Sequence, residues 1–431
     1  MSAAKAFLLA TWEGGGSVPP MLELARQLAE RGHRVRVMSD ACNRAESEAA
    51  GARFIAWSRA PSKPKRSREF DTWDDWSQAN PAEGFQNLMQ NVLAGPALAY
   101  AQDLTAELKR EPADLVISSE MLFGVHLGCE ALAQRFVLLA VNIPLFPLPG
   151  FIPLGPGLKP ARTAEESAVH AEVLAMNEEM LAASLPAFNA ARAALSLSPL
   201  ARMTDQHAAA AAYYIATAHA FDFAPTNLPA KVSYVGPLLG EPAWAAPFGS
   251  PFLEGDRRPL ALVSFSTTFQ NHAGVLQRVI DAIAQLPMKA IVTLGGSIRP
   301  EEVRGADNVA LLESAPHRAV LDKAALAVTH GGHGTVIKAL AAGKPLLILP
   351  HGRDQQDNAV RVTERGAGLS LDRDADTWAI RTALSTLLED PSYAAAARIL
   401  GAKISCEMEG SNLIVQLEAC ASRVASSSAA A

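Results

Sequence analysis

The chain has 431 residues, of which 49% are hydrophobic and 19% are charged, and its formal net charge is −6. This length predicts two or three domains with sizeable cores, whereas the negative charge and a pI near 6.0 argue against nucleic acid or an anionic membrane as the main partner. The four cysteines lie far apart, without a CxxC pair or metal-ligand spacing, so we expect reduced structural thiols. Because no apolar run reaches about 18 residues and the one near the amino terminus is too short for a signal sequence, we expect a soluble cytoplasmic protein.

Predicted strands and helices alternate through the first half of the chain. Strands at Ala6–Thr11 and Arg34–Met38 flank a helix that Pro19 and Pro20 open, which is the βαβ start of a parallel sheet. Further strands are predicted at Phe54–Trp57, Asp114–Ser118, Phe136–Val141, Tyr213–Thr217 and Val232–Val235. Helices are predicted at Gly124–Gln134 and near residues 164–195 and 201–211. Together these elements predict one α/β domain over residues 1–235.

Two segments of this half are candidates for contacts with a small molecule. Residues 61–96 interrupt the strand and helix pattern and include Trp73 and Trp76. Long loops in compact domains tend to be functional or disordered, so this segment is either an excursion over a site or a solvated surface loop. Residues 144–160 are rich in proline, glycine and apolar side chains, which suits a hydrophobic wall as well as a packed loop.

A second sheet domain is predicted over residues 252–405, after a linker at residues 236–251 that is dense in proline and glycine. Its strands are predicted at Leu260–Ser264, Ala290–Leu294, Val309–Leu312, Ala325–Thr329 and Leu346–Leu349. Late helices are predicted near Thr377–Leu388, Ser392–Gly401 and Cys406–Cys420. The last helix and a low-complexity tail that we expect to fray make up residues 406–431.

The sharpest motif follows the strand Ala325–Thr329. Its loop, HGGHGT from His330 to Thr335, precedes a predicted helix, and glycine amides at a helix N-terminus suit a phosphate or diphosphate. About twenty residues later, Asp354 and Gln355 follow the next strand with side chains suited to sugar hydroxyls. Both loops lie at carboxyl ends of strands, where open α/β sheets bind ligands. The pair therefore predicts a nucleotide-sugar site.

The sequences THGGHGT, ALAAGKPLLILP, GRDQQDNA and GAG resemble the donor-site signature of family 1 glycosyltransferases, the UDP-glycosyltransferase superfamily. The resemblance is strongest to the bacterial branch that modifies macrolides, polyketides and other natural products. It implies the GT-B fold, in which two Rossmann-like α/β domains with parallel sheets face each other across a cleft and the last helix returns to the first domain. It also implies inverting transfer of a hexose from a UDP- or dTDP-sugar to an apolar small-molecule acceptor, with no metal or other cofactor.

The resemblance assigns roles to individual residues. The diphosphate would be held by His330, Gly331, Gly332, His333, Gly334 and Thr335, with Ser266 and Thr267 after the strand Leu260–Ser264. The sugar would be held by Asp354 and Gln355. The base would lie at Ser314, Pro316 and His317, where the family usually has an aromatic residue and Pro-Gln, so base selectivity stays open. The acceptor would contact Phe123, Phe146, Phe151, Trp73 and Trp76.

The sequence departs from the family at the general base. The family has a histidine in the turn after the first strand, where this chain has Ser17, and a serine hydroxyl is a very weak base near neutral pH. The supporting carboxylate position aligns with Ser119, and Glu120 follows it. Either Glu120, Glu13 or His126 serves as the base, or the acceptor is acidic or carbon-nucleophilic enough to need none. As a third alternative, the enzyme is slow, depends on a partner protein, or catalyses a different reaction.

The donor nucleotide stays open between UDP and dTDP. Lys338 stands where plant-type members have a glutamate that binds the ribose, although it is also compatible with a surface residue of the helix. The alternatives to a transferase are a nucleotide-sugar hydrolase or epimerase of the same fold and a non-catalytic auxiliary homologue, which Ser17 suggests. An auxiliary protein would be expected to lose the donor motifs as well. Because the chain keeps them, we predict an active transferase, as a monomer or homodimer.

Overall fold

The computed structural model describes residues 3–71, 73, 81–240, 249–266 and 268–422. The first domain has strands β1 (Ala6–Ala10), β2 (Arg34–Ser39), β3 (Arg53–Ala56), β4 (Leu115–Ser119), β5 (Phe136–Ala140), β6 (Tyr213–Ile215) and β7 (Val232–Tyr234). Its helices are α1 (Val18–Glu30), α2 (Arg44–Ala49), α3 (Pro81–Leu88), α4 (Ala97–Arg110), α5 (Phe123–Ala131), α6 (Ala164–Ala182) and α7 (Leu185–Ala194). The strands form one parallel sheet in the order β3-β2-β1-β4-β5-β6-β7. The seven predicted strands are confirmed to within two residues at each end.

The second domain has strands β8 (Leu260–Ser264), β9 (Lys289–Thr293), β10 (Val309–Leu312), β11 (Leu326–Thr329), β12 (Leu346–Ile348) and β13 (Gly368–Ser370). The helices of this half are α8 (Ala273–Ala284), α9 (His317–Lys323), α10 (His333–Ala341), α11 (Gln355–Thr363), α12 (Thr377–Glu389), α13 (Pro391–Glu409) and α14 (Leu413–Ser422). The strands form a second parallel sheet in the order β10-β9-β8-β11-β12-β13. The five predicted strands are confirmed, and β13 was not predicted.

Both sheets are covered on both faces. In β1, Leu8 and Ala10 pack in one core cluster, whereas Phe7 and Leu9 pack in the cluster on the opposite face. Burial on both faces explains why the strands are continuous apolar runs rather than alternating ones. The second sheet is divided in the same way between two clusters.

Each sheet reverses its strand order once, between β1 and β4 in the first domain and between β8 and β11 in the second. In open parallel sheets, ligands bind outside the carboxyl ends of the strands at this reversal. The loops that follow these four strands are therefore the places to look for the functional site.

Three helical regions differ from the sequence-based expectation. Residues 61–96 contain a short 3-10 helix at Arg68–Phe70, then α3 and a π-helical turn at Met89–Leu93, so the segment is not one irregular loop. The helix predicted near residues 201–211 is a 3-10 helix at Met203–Ala209. The helix predicted to follow Thr335 already begins at His333, and Gly332 is its N-cap.

The carboxyl-terminal helices also differ. We predicted a helix that ends at Gly401 and another that starts at Cys406, whereas α13 continues to Glu409 and α14 starts at Leu413. Gly401 is a packing residue rather than a helix stop, since a Cβ at this position would collide with the carbonyl oxygen of Leu340 in α10. The predicted boundary at residue 406 therefore falls inside α13.

The last helix packs on the first domain. Leu413 and Leu417 of α14 are buried in the core cluster that contains α1. At the edge of this contact, Glu418 forms an ion pair with Arg31 at 2.8 Å, and Nε2 of His33 lies 2.8 Å from the same carboxylate. Among the described residues, no helix is long and apolar enough to cross a membrane.

Candidate active site

Loops of the second domain converge at one edge of its sheet. The loops after β8, β11 and β12 are adjacent because these three strands are neighbours. Helices α8, α10 and α11 begin at the ends of these loops, and none of the three N-termini is capped by the side chain of a described residue. First-turn amides without a cap carry partial positive charge, so this edge is suited to an anion.

The glycines of the loop after β11 have different structural reasons. Gly331 has a φ of +100°, and a Cβ there would lie 2.9 Å from Cγ2 of Ile348 and 3.0 Å from the carbonyl oxygen of Gln355. A Cβ on Gly332 would lie 2.8 Å from the ring of His330. A Cβ on Gly334 would meet no atom within 4 Å. Packing thus requires a glycine at positions 331 and 332. Gly334 is not required by packing, and without a side chain it leaves the backbone N–H groups of the first turn of α10 accessible.

The two histidines of this loop face different partners. His330 is 8% exposed, its Nδ1 lies 3.4 Å from the hydroxyl of Thr329, and burial holds the pKa of its imidazole well below the usual value. The imidazole of His333 instead reaches the first domain, where Nε2 lies 2.8 Å from the hydroxyl of Thr217. Its predicted contribution to a diphosphate site is therefore limited to the backbone N–H. Thr335 is half-buried in the first turn of α10.

The loop after β8 is organised by side-chain hydrogen bonds. The hydroxyl of Ser266 lies 2.9 Å from that of Thr268 and accepts the amide of Gln270 at 2.7 Å. Gln270 in turn accepts the amide of Gln355 at 2.8 Å, which ties this loop to the one after β12. Thr267 lies outside the described residues.

The two predicted sugar-binding residues have different environments. Gln355 is 1% exposed, and its oxygen accepts the backbone N–H groups of His351 at 2.7 Å and Gly352 at 3.2 Å. Its side chain therefore holds the loop in shape. Asp354 is half-buried and accepts the amide of Asn358 at 2.9 Å, and burial raises the pKa of its carboxyl group. The sugar role of both residues stays a prediction.

The predicted base-binding residues lie between β10 and α9. Ser314 is exposed, Pro316 is the N-cap of α9, and His317 is its first residue. Nε2 of His317 lies 3.2 Å from the hydroxyl of Ser264. Burial, with the nearby charge of Lys338, lowers the pKa of His317 to about 3. Lys338 is half-buried and lies near His317, so it is more than a solvated surface residue.

On the first domain, the loop after β1 carries Ser17 and Glu13. The hydroxyl of Ser17 donates to the carbonyl oxygen of Trp12 at 3.0 Å. Glu13 is 4% exposed, and its carboxylate pairs with Arg66 at 3.0 Å and accepts the N–H of Gly15 at 3.0 Å. Glu13 is therefore held as a structural ion pair in the conformation described.

The other two base candidates are enclosed in the core. Glu120 is 1% exposed, accepts the hydroxyl of Tyr213 and the N–H of Leu145, and burial raises its pKa to about 7. His126 is fully buried with Nε2 3.1 Å from the hydroxyl of Ser118, and burial holds its pKa well below the usual value. Both side chains are shielded from solvent in this conformation. A role for either as the base stays a prediction.

Most of the predicted acceptor residues are core residues. Phe123 and Phe146 are 0% and 4% exposed and contact each other edge-to-face at 5.0 Å, so neither offers a surface to an acceptor here. Phe151 is half-buried and stacks on Tyr234. Trp73 packs on Trp12 at 4.9 Å on one side and lies 5.4 Å from the guanidinium of Arg353 on the other. Trp76 lies outside the described residues.

Known proteins resemble the chain in sequence and in fold. The family profile for the C-terminal domain of erythromycin biosynthesis protein CIII-like proteins matches residues 277–419. The 4'-demethylrebeccamycin synthase of Lentzea aerocolonigenes is 25% identical over 419 residues, which cover 95% of this chain and 96% of that protein. The NDP-glycosyltransferase YjiC of Bacillus subtilis (strain 168) is 25% identical over 366 residues, which cover 84% of this chain and 83% of that protein.

Solved structures extend the similarity to the whole fold. The glycotransferase of kitacinnamycin aligns with a TM-score of 0.74 at 19% identity, covering 96% of this chain and 99% of that one. The calicheamicin glycosyltransferase CalG4 aligns with a TM-score of 0.69 at 21% identity, covering 98% of this chain and 100% of that one. The protein is a glycosyltransferase. It has the GT-B fold, and in sequence it is similar to the natural-product branch of family 1.

The matched part of this glycosyltransferase contains the loops after β11 and β12, whereas Ser17 and the loop after β8 lie before it. Sequence reasoning missed two residues that the structure brings together at the domain boundary, Trp12 after β1 and Arg353 after β12. Trp12 is buried and its indole N–H has no partner among the described residues. Arg353 donates to Thr268 at 2.9 Å while lying against Trp73, so it joins the two domains. The position of Trp12 after β1, at the reversal of the first sheet, was the available signal.

In the part of the chain that the structure describes, no group of three or more His, Cys, Asp or Glu side chains is arranged to hold a metal ion.

Proposed function

We propose that this glycosyltransferase moves a hexose, with inversion, from a UDP- or dTDP-sugar to a hydrophobic small molecule, without a metal or other cofactor. The observation that carries the proposal is the convergence of three uncapped helix N-termini beside His330 at the reversal point of the second sheet. Preorganised N–H groups are an effective way to stabilise charge that develops on a leaving group.

The proposed reaction is a single displacement. The acceptor atom forms a bond to the anomeric carbon while the carbon–oxygen bond to the diphosphate breaks, and that electron pair stays on the departing phosphate oxygen. The amides of the loop after β11 and the imidazole of His330 stabilise this oxygen. Asp354 holds hydroxyls of the sugar, which fixes the anomeric carbon for attack from the opposite side.

An apolar acceptor is supported by aromatic side chains at the domain boundary. Trp12 and Trp73 are buried on the first-domain side with their rings tilted against each other at 4.9 Å, and Arg353 of the second domain lies 5.4 Å from Trp73. The relative named as a rebeccamycin synthase supports a natural-product acceptor of this kind. The name of the Bacillus relative supports a nucleotide diphosphate sugar as the donor.

We further propose that the acceptor supplies its own acidity or carbon nucleophilicity. Ser17 is a weak base, Glu13 is paired with Arg66, and Glu120 and His126 are enclosed in the core. A phenol or an activated carbon needs less help from the enzyme than an alcohol does, and its proton is released to solvent. Phenolic or carbon-nucleophilic acceptors should therefore be preferred over aliphatic alcohols.

The test is transfer from UDP-glucose and dTDP-glucose to a panel of matched phenolic and alcoholic polyketides, followed by mass spectrometry. The anomeric configuration of the product, read by NMR, tests inversion, and addition of EDTA tests metal independence. Ser17→Ala is the matched variant, and we expect its transfer to phenols to stay within about threefold of wild type, as for a group that does not accept the proton. Release of nucleoside diphosphate without any glycosylated product would instead favour a hydrolase.

A further inference from the structure

His272 is a buried polar side chain with no role in the site described so far. It is 2% exposed, and neither of its ring nitrogens has a hydrogen-bond partner among the described residues. Buried polar side-chain atoms in proteins nearly always have a partner, and leaving both nitrogens of an imidazole unpaired costs free energy. A ligand that accepts hydrogen bonds would explain why the residue is tolerated.

The surroundings of His272 identify where such a ligand would bind. Its ring stacks on Phe265, with centroids 5.6 Å apart, and Phe265 stacks on His330 at 6.0 Å. His351 packs edge-on against Phe265 at 5.9 Å and against His272 at 6.1 Å. Three imidazoles thus surround one phenylalanine ring where β8, β11 and β12 end. The cluster lies beside the loop that is expected to hold the diphosphate.

The charges around His272 favour an anion. Burial and the nearby groups His351 and Arg353 lower the pKa of His272 to about 3, and Glu302 opposes this shift. Negative charge entering the cluster would favour protonated imidazoles and would supply oxygen acceptors for their N–H groups. The first turn of α8, which starts at the next residue without a side-chain cap, adds partial positive charge.

We propose that His272 is a second histidine, alongside His330, that binds the diphosphate of the donor and stabilises it as it leaves. The inference rests on the proposed donor class. It also relates to Ser17, which stands where the family has a histidine base. If the acceptor is only weakly activated, the reaction rate depends more strongly on stabilisation of the leaving group. When the bond to the anomeric carbon breaks, the electron pair stays on the phosphate oxygen, and the N–H of His272 donates to the diphosphate.

The experiment compares wild type with His272→Gln by calorimetric titration with UDP, dTDP, the matching nucleosides and inorganic pyrophosphate. Loss of one charge-assisted hydrogen bond should weaken binding of the preferred nucleoside diphosphate and of pyrophosphate by about tenfold, while nucleoside affinity stays unchanged. A bound diphosphate should favour protonation of the clustered imidazoles, which are those of His272, His330 and His351 beside Arg353 and Glu302. Titrations in buffers of different ionisation enthalpy should therefore show less proton uptake on binding in the variant than in wild type. In turnover, kcat should fall more than KM rises.

The matched control is His207→Gln in the first domain. His207 also stacks on a phenylalanine, Phe123, with centroids 5.0 Å apart, and burial lowers its pKa to about 4. This variant should lower thermal stability and leave affinity for diphosphates unchanged.

Two outcomes would overturn the inference: a folded His272→Gln that binds the diphosphate as tightly as wild type, or one that loses nucleoside and diphosphate affinity equally. If wild type binds pyrophosphate but neither nucleotide, the proposed donor class is wrong and the pyrophosphate titrations still decide the role of His272. Wild type that binds no anion contradicts both.

Discussion

Asp354 and Gln355 are adjacent in the sequence, but the structure gives their side chains different surroundings. The amide oxygen of Gln355 accepts the N–H groups of His351 and Gly352, and its amide nitrogen donates to Gln270. The carboxylate of Asp354 accepts a hydrogen bond from the amide of Asn358. We predict that Asp354→Asn lowers kcat/KM for transfer by roughly 10-fold to 100-fold, the loss of one charged hydrogen bond to a sugar hydroxyl. Because the diphosphate loop is untouched, the Kd of UDP or dTDP should not change, and calorimetry checks this.

Gln355→Ala provides the contrast to this variant. It leaves the buried N–H groups of His351 and Gly352 without their acceptor, which should lower the free energy of unfolding by about 1–3 kcal/mol and weaken nucleotide binding as well. Urea denaturation measures the first effect. Equal unfolding free energies for the two variants would show that Gln355 does not hold the loop.

At the level of single residues, sequence reasoning placed side chains correctly where their position depends on local order along the chain. The spacing of His330, Thr335 and Asp354 was enough to place them at neighbouring strand ends. It failed for Phe123, because an apolar ring after a strand has the same pattern whether it faces a cleft or the core. His272 was missed because its significance comes from three loops that meet only in the folded chain.

At the level of elements, the shape of the loop after β11 depends on the absence of a side chain at Gly331. Gly331→Ala would force a side chain into a φ of +100° and into contact with Ile348 and Gln355. We predict a loss of about 1–3 kcal/mol in unfolding free energy and a loss of nucleotide binding, because the backbone that carries His330 must shift. Thermal denaturation and calorimetry measure the two effects.

Gly334→Ala is the control within the same loop. Its Cβ meets no atom within 4 Å, and alanine favours the helix by about 1 kcal/mol, so the variant should be at least as stable as wild type. Its methyl group would still project from the first turn of α10 and should weaken diphosphate binding. Unchanged affinity in this variant would place the diphosphate elsewhere.

Elements that the sequence revealed are those that bury apolar side chains, either in a continuous run or with a regular period. The strands of both sheets are continuous apolar runs and could be located in this way, whereas their order within each sheet was not predicted. Helix α11 was missed because it buries polar residues, among them Asp357, Asn358 and Arg361, which make no hydrophobic pattern. The helix break expected after Gly401 was wrong, since that glycine allows α13 to approach α10.

At the level of the whole molecule, the polar face of α11 connects the donor site to the first domain. Arg361 pairs with Asp222 of the first domain at 2.8 Å, and Asp357 accepts the N–H of Gly155 at 2.9 Å. The same helix begins at Gln355, directly after Asp354. The helix that begins beside the predicted sugar-binding residues therefore also contributes to the contact between the two domains.

Asp222→Ala tests this connection from the first domain without altering the loops of the second domain. Asp222 and Arg361 are 4% and 5% exposed, and the hydroxyl of Tyr234 also donates to Asp222 at 2.6 Å. Removing one partner of a buried pair leaves the other charge uncompensated, so Asp222→Ala should cost about 3–5 kcal/mol of unfolding free energy. Transfer should fall through lost alignment of donor and acceptor, while the Kd of the nucleoside diphosphate stays near wild type.

The control for this variant is Glu48→Ala, which breaks an ion pair with Arg44 at 3.4 Å that is largely exposed to solvent. Exposed pairs contribute about 0–1 kcal/mol, so both stability and transfer should stay close to wild type. Urea denaturation, calorimetry with nucleoside diphosphate and transfer assays on both variants separate the cases. If Asp222→Ala reduces nucleotide affinity as strongly as transfer, the pair supports the donor loops themselves. If neither changes, the domain contact does not depend on it.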